Sequence, residues 1–236
     1  MRAGHGSPAF QPQGDLEMKK PNAAVLGAVL AASALLATEA NAVLVSDPMD
    51  LGTPLLSLDL SAFDAEFVGG ATTPVSPDVS LQAIGFPNSD LFLGSTVWVL
   101  GENGDWGFGR SFAASDAPIG AVAIYFHGKT VDAVGAVFNY FRTTDPGVLT
   151  LSAYTPDAIP LESHSVTIDT PGGFNEGAFY GIKRDQADIG WLIAYAPYVA
   201  VSDVQFTTPV PEPSTYALFG LGLALVGVSL ARHGRR

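Results

Sequence analysis

Cysteine is missing from all 236 residues of the chain. That absence excludes a disulfide framework, cysteine-ligated zinc or iron–sulfur centres, and a thiol nucleophile, while leaving the compartment open. Basic residues are scarce as well: 11 Lys+Arg stand against 23 Asp+Glu, a formal net charge of −12. Nucleic acid is thereby excluded as the main partner, since phosphate binding needs clustered Lys and Arg. Charge of either sign is thin, at 14% of residues, where about 25% is usual. Apolar residues are plentiful all the same, at 47%, and the mean hydropathy is +0.28. So many apolar residues beside so few charges point to segments that serve a membrane and not a core.

Both ends carry such a segment. Met18-Lys19-Lys20 is a short basic flank, and residues 23–36 (AAVLGAVLAASALL) are an uncharged apolar run. Ala40-Asn41-Ala42 then fits the small-residue A-x-A rule for signal peptidase. Residues 18–42 therefore read as a signal peptide for the export translocon, with cleavage after Ala42 and a mature chain from Val43. Residues 1–17 are polar, rich in Gly and Pro, and carry Asp15 and Glu17 beside the basic flank. They fit badly ahead of a signal, and translation is expected to start at Met18.

At the other end, Val210-Pro211-Glu212-Pro213-Ser214-Thr215 precedes 16 uncharged residues, 216–231 (YALFGLGLALVGVSLA). As a helix this run reaches about 24 Å, slightly under a bilayer core of about 27–30 Å, and the arginines beyond it snorkel to make up the difference. Arg232, Arg235 and Arg236 form a basic stop-transfer tail, which the positive-inside rule keeps cytoplasmic. Pro211 and Pro213 hold the segment before the helix extended and open to a processing enzyme. The order of Pro-Glu-Pro, apolar helix and arginine cluster resembles the PEP-CTERM sorting signal. The resemblance covers residues 210–236 and implies a Gram-negative envelope, recognition by an exosortase, and a role linked to extracellular polysaccharide or biofilm. It also implies membrane attachment through the helix before processing, then location at the cell surface or outside the cell.

Between the ends, residues 43–209 carry 5 Lys+Arg against 19 Asp+Glu, so the exported domain is at 5 − 19 = −14. Its pattern is β throughout. Strands are expected over 55–60, 62–68, 79–86, 96–100, 107–112, 121–126, 133–140, 148–154, 165–168, 178–182, 189–195 and 199–206. Turn chemistry separates them, as in Glu102-Asn103-Gly104-Asp105 and Asp145-Pro146-Gly147. Short strands at this spacing predict an all-β domain, a jelly-roll-like β-sandwich. Trp98, Phe126, Phe138, Phe141, Phe179 and Trp191 are expected to fill the space between its sheets. The second half is similar to a β-sandwich module seen in exported PEP-CTERM proteins, on the runs 133–140, 148–154, 179–182, 189–193 and 199–206. In such modules the last strand often carries two consecutive acids; here Asp203 follows Ser202.

No catalytic motif is present: neither H-E-x-x-H, G-x-S-x-G nor a phosphate-binding loop occurs. The exported domain holds two histidines, His127 at a strand end and His164 at an expected solvent-facing strand position. The chain is thus expected not to be an enzyme and to need no cofactor. Two binding chemistries are weighed against plainer structural roles. Glu102, Asn103 and Asp105, with Asp203, would supply oxygen ligands to calcium, although the first three sit equally well in an Asn-Gly hairpin turn, which is favoured. Trp106, at a loop edge, would stack on a sugar if exposed, with Tyr140, Tyr154 and Tyr198 as further platforms. The expected function is an exported, exosortase-sorted surface or matrix protein associated with exopolysaccharide. The alternatives are a lectin-like carbohydrate-binding module and, behind it, a secreted hydrolase.

Overall fold

The computed structural model describes residues 42–63, 66–69, 72–85, 89–142 and 147–207. The expected signal peptide through Asn41, the sorting motif and the helix over 216–231 lie outside the described residues. Sixteen strands are found among those described. In chain order they are β1 (Ala42–Val45), β2 (Leu55–Ser57), β3 (Glu66–Gly69), β4 (Thr73–Pro74), β5 (Val79–Gly85), β6 (Asp90–Gly94), β7 (Trp98–Val99) and β8 (Asp105–Trp106). There follow β9 (Phe112–Ser115), β10 (Gly120–Phe126), β11 (Ala133–Asn139), β12 (Leu149–Tyr154), β13 (Pro160–Val166), β14 (Ala178–Arg184), β15 (Trp191–Tyr195) and β16 (Ala200–Thr207). A single turn of 3-10 helix, Pro48–Leu51, follows β1.

Two antiparallel sheets form the sandwich. The first runs β1-β14-β11-β16-β9-β6-β3, with β2 also paired to β16. The second runs β13-β12-β15-β10-β5-β4, and β7 pairs only with β8. From β9 onward the chain steps between sheets: β10 in the second, β11 in the first, β12 and β13 in the second, then β14, β15 and β16 in turn. Strands that change sheets at successive connections are the jelly-roll arrangement, and the expected fold class is the one observed.

The main core lies between the sheets, and period-2 alternation builds it. β12 buries Leu149, Leu151 and Ala153 and turns Thr150, Ser152 and Tyr154 outward. Val122 and Ile124 of β10, Val134, Ala136 and Phe138 of β11, and Leu91 and Leu93 of β6 meet the same core. The opposite face of the first sheet is also covered. Leu100, Trp106 and Phe112 pack there against Phe92, Ala114 and Ala200. Leu51 of the 3-10 turn packs there against Val45 and Ala133. The first sheet is therefore buried on both sides, while the outer face of the second sheet has no such cover among the described residues.

This asymmetry explains where the expected strands miss. β6 was not expected, because Asp90-Leu91-Phe92-Leu93-Gly94 does not alternate; Leu91 and Leu93 serve one core and Phe92 the other. β13 runs five residues ahead of the expected 165–168. It is an edge strand with a polar sequence, so its apolar period is weak. Residues 107–111 are a loop and not a strand, with positive φ at Gly107, Phe108 and Gly109. In that loop Phe108 meets Phe174 edge to face at 4.2 Å. Of the aromatics expected between the sheets, Phe126 and Phe138 are there. Trp98 joins the cluster on the far side of the first sheet, Phe179 packs beside Leu51, Phe141 pairs with Tyr198, and Trp191 faces outward from β15. Ala42 is already paired with Arg184 in β1, so cleavage after it would leave Val43, Leu44 and Val45 paired with Lys183, Ile182 and Gly181.

Candidate functional site

The hairpin β7–β8 places the residues weighed for calcium. Its tip is the Asn-Gly turn. Gly104 sits at φ +81, and a Cβ there would lie 2.0 Å from the Gly173 carbonyl oxygen, so only glycine closes the turn. Asn103 does not point to solvent. It is fully buried, and its carboxamide nitrogen donates to the carbonyls of Tyr140 and Ile168, each at 3.2 Å. Its side-chain oxygen accepts from the Thr170 amide at 3.2 Å. Every strong hydrogen-bonding capacity of this amide is used internally, which removes Asn103 as a cation ligand. Asp203 does not join Glu102 and Asp105 either; it pairs with Arg110. Asp203 occupies the bulge where the β11–β16 register shifts, with φ +49, which accounts for the broken alternation of that strand. Among the described residues no three His, Cys, Asp or Glu side chains gather as a metal site.

Trp106 is likewise not a platform. It is fully buried, its indole N–H donates to the Glu176 carbonyl, and its ring meets Phe112 edge to face at 6.0 Å. Arg110 covers the ring at 5.1 Å while donating to the Asn175 carbonyl at 2.7 Å. Sequence position at a loop edge suggested exposure, but the loop folds back over the first sheet. Tyr140 is also buried. Its hydroxyl donates to the Gly147 carbonyl and accepts from the Ile168 amide at 3.3 Å. Burial pushes its phenol above the ordinary value, partly offset by the Ile168 amide. Tyr198 is half-buried against Phe141. Tyr154 alone of the four expected platforms faces outward from a sheet.

The histidines hold structural positions. His127 Nε2 lies 2.5 Å from the Ser80 hydroxyl, but Ser80 is buried at 1% exposure, closed to an approaching substrate. His164 is opposite Leu151, hence on the inward side of edge strand β13 and not facing solvent as expected, with Glu162 3.4 Å away. A cleft of about 490 Å³ beside β5, lined by Gly69, Gln82, Ile84, Gly85, Ser89 and Asp90, contains one carboxylate and no base among the described residues. It therefore offers no acid–base pair.

The open face belongs to the second sheet. Strand register sets Tyr125 of β10 beside Trp191 of β15, and Trp191 beside Tyr154 of β12. The Tyr125 and Trp191 rings touch, with centroids 4.0 Å apart and planes at 43°. Burial pushes the Tyr125 phenol above its ordinary value. Next to this row, the Ser152 and Ser163 hydroxyls bond at 2.9 Å, and those of Thr150 and Ser165 at 3.2 Å. Tyr195 and Ile84 stand nearly half exposed on the same face. Sequence reasoning missed Trp191 because both alternating sets of β15 are apolar: Trp191, Ile193 and Tyr195 against Leu192 and Ala194. Alternation says that two sets exist, not which one turns inward.

The PEP-CTERM protein-sorting motif matches residues 209–236. Pro211, Glu212 and Pro213 fall inside that match, and the chain therefore carries a signal for exosortase processing, export and sorting to the cell surface. No curated protein matches the chain. Among solved structures, the carbohydrate-binding module CsCBM6-3 from Clostridium stercorarium, in complex with cellobiose, is 15% identical; the match covers 54% of this chain and 87% of that one, with a TM-score of 0.31. A mutant of the family 29 carbohydrate-binding module CBM29-2 is 10% identical, covering 67% and 96%, with a TM-score of 0.32. At these scores neither likeness bears on what the protein does.

Proposed function

We propose that the protein is a non-enzymatic component of the cell surface or extracellular matrix, delivered by exosortase and associated with exopolysaccharide. The sorting motif at 209–236 carries this reading. Export begins, on this view, at the signal over 18–42, with the translocon and signal peptidase as partners. The apolar run over 216–231 then holds the chain in the inner membrane until exosortase acts near Pro211-Glu212-Pro213.

The non-enzymatic part is supported by the surroundings of the groups that could do chemistry. Ser80 is buried beneath its contact with His127. The carboxylates of Asp78, Asp169, Asp188 and Asp203 are each held by a Lys or Arg. Each of these carboxylates is thus already committed to an intramolecular ion pair.

Intact-mass spectrometry of the protein from cells with and without exosortase tests the reading. The expected mature chain starts at Val43 and lacks 216–236. A chain from exosortase-competent cells that still holds that tail would overturn processing. The double substitution Pro211→Ala with Glu212→Ala is expected to leave the protein in the membrane fraction.

A further inference from the structure

We propose that the outer face of the second sheet is a binding site for a neutral polysaccharide strand, with Trp191 at its centre and Tyr125 and Tyr154 on either side. The proposal deepens the exopolysaccharide reading above by naming the surface and the ligand class.

The first observation is geometric. Three aromatic side chains occupy one register line across three adjacent strands, Tyr125↔Trp191↔Tyr154. Neighbouring strands lie about 4.8 Å apart, so the line is about 10 Å wide and gives a continuous ring surface across the sheet. Trp191 and Tyr125 hold each other in place by ring contact, and aromatic side chains lose little conformational freedom on binding. The apolar C–H faces of pyranose rings match such a surface. Their hydroxyls need partners beside it, and the paired hydroxyls of Ser152–Ser163 and Thr150–Ser165 run alongside. Each paired hydroxyl keeps a spare donor or acceptor capacity for a sugar hydroxyl.

The second observation is the absence of charge. The outward positions of β5, β10, β15, β12 and β13 are Ser80, Gln82 and Ile84; Ala121, Ala123 and Tyr125; Trp191, Ile193 and Tyr195; Thr150, Ser152 and Tyr154; and Pro160, Ser163 and Ser165, of which Ser80, Ala121 and Ala123 are covered by their neighbours. None is Asp, Glu, Lys or Arg. The solvated face of an antiparallel sheet is where charged residues normally collect, and a designed surface would carry about 25–35% of them. This domain has 19 acids and 5 bases to place and puts none at these strand positions, although Asp90 of the first sheet shares a cleft with Gln82 and Ile84. A uronate- or phosphate-bearing polymer would find no base on the face and would be repelled by the −14 domain. A neutral glycan meets no such penalty.

The third observation is the contrast between the two sheets. The outer face of the first is sealed by two apolar clusters. The outer face of the second leaves Tyr125, Trp191 and Tyr154 half-buried and therefore partly at the surface, with Tyr195 47% and Ile84 41% exposed beside them. Contiguous exposed apolar surface on an exported protein marks a binding surface.

The test is affinity electrophoresis of the exported protein, purified from its cells, in gels carrying hydroxyethylcellulose, mannan, dextran or xylan, with alginate as the anionic comparison. At least one neutral polymer should retard the protein, unaffected by 0.5 M salt, where the Debye length is only about 4 Å. Trp191→Ala should weaken that retention at least tenfold, and Tyr154→Ala severalfold. Trp191→Phe, which keeps a ring, should restore part of it. Thermal melts of each variant separate lost binding from lost fold, and Tyr154→Ala at the partly exposed row end keeps the test open if Trp191→Ala does not fold. Retention by no neutral polymer, retention by alginate alone, or wild-type retention by a folded Trp191→Ala each overturns the proposal. Alginate-only retention would leave exopolysaccharide association standing, and a failed mass-spectrometric test of sorting would leave binding by this face untouched.

Discussion

The Asn103 carboxamide nitrogen donates to the Tyr140 carbonyl at 3.2 Å, and so ties the tip of the β7–β8 hairpin to the end of β11. The same nitrogen reaches the Ile168 carbonyl, while the Ile168 amide donates to the Tyr140 hydroxyl. Three segments distant in sequence are closed into one buried ring of hydrogen bonds. The turn, read from the sequence as an Asn-Gly hairpin in preference to a cation loop, is a structural clasp.

Asn103→Asp is expected to destabilise the fold strongly. It replaces a donor facing two carbonyls with a second acceptor, leaving buried groups unpaired at about 1–3 kcal/mol each. A loss of about 3 kcal/mol lowers Tm by about 6–12 °C in a domain of this size. Thermal denaturation followed by circular dichroism measures it. In the wild-type protein, added calcium or EDTA is expected to leave Tm unchanged; a calcium-dependent rise of several degrees would restore a cation to this loop.

Trp106→Ala and Trp191→Ala should have opposite consequences. Trp106 fills a closed cluster, and truncating a buried aromatic costs about 3–5 kcal/mol. Its Glu176 acceptor keeps a second donor in the Asn139 amide, so the loss is chiefly one of packing. Urea titration should show a large stability loss in Trp106→Ala with polysaccharide retention intact under folding conditions, and a small stability loss in Trp191→Ala with retention lost.

Alkaline titration should expose Tyr140. The unfolded chain ionises this phenol near its ordinary value of 10.0, and the folded chain does so only above it. Below pH 10 its stabilisation is complete, and it is lost as the pH rises through the raised folded value, because the unfolded state then releases the proton first. Tyr140→Phe removes hydrogen bonds to Gly147 and Ile168, at a cost of about 1 kcal/mol each near neutrality, and it should flatten the fall above pH 10. Unfolding free energies at pH 8, 10 and 11 check both arms. An unchanged slope would show that the phenol does not drive the alkaline loss.

β12 was legible because it has one wet and one dry face, Thr150, Ser152 and Tyr154 against Leu149, Leu151 and Ala153. β6 was not, because Phe92 and its neighbours Leu91 and Leu93 serve two separate cores. β13 was not, because an edge position tolerates Glu162, Ser163, His164 and Ser165 in a row. The bulge at Asp203 left a trace in the sequence as a break in alternation, but the ion pair to Arg110 did not, since 93 residues separate the two.

By itself the sequence determined the address of this protein and the class of its fold. Sorting enzymes read a short linear segment, so Pro211, Glu212 and Pro213 with the apolar run and arginines are recognisable without any folded context. Alternation and turn chemistry are also local, and they suffice for a β-sandwich. The sides of the sheets were decided only in three dimensions. Whether Trp106 is fully buried and Trp191 only half-buried depends on which sheet receives the hairpin as a roof, and that is a matter of contacts between distant segments. The same packing withdrew Asn103 from solvent and left one uncharged aromatic face uncovered among the described residues, and it is on that face that a ligand is now to be sought.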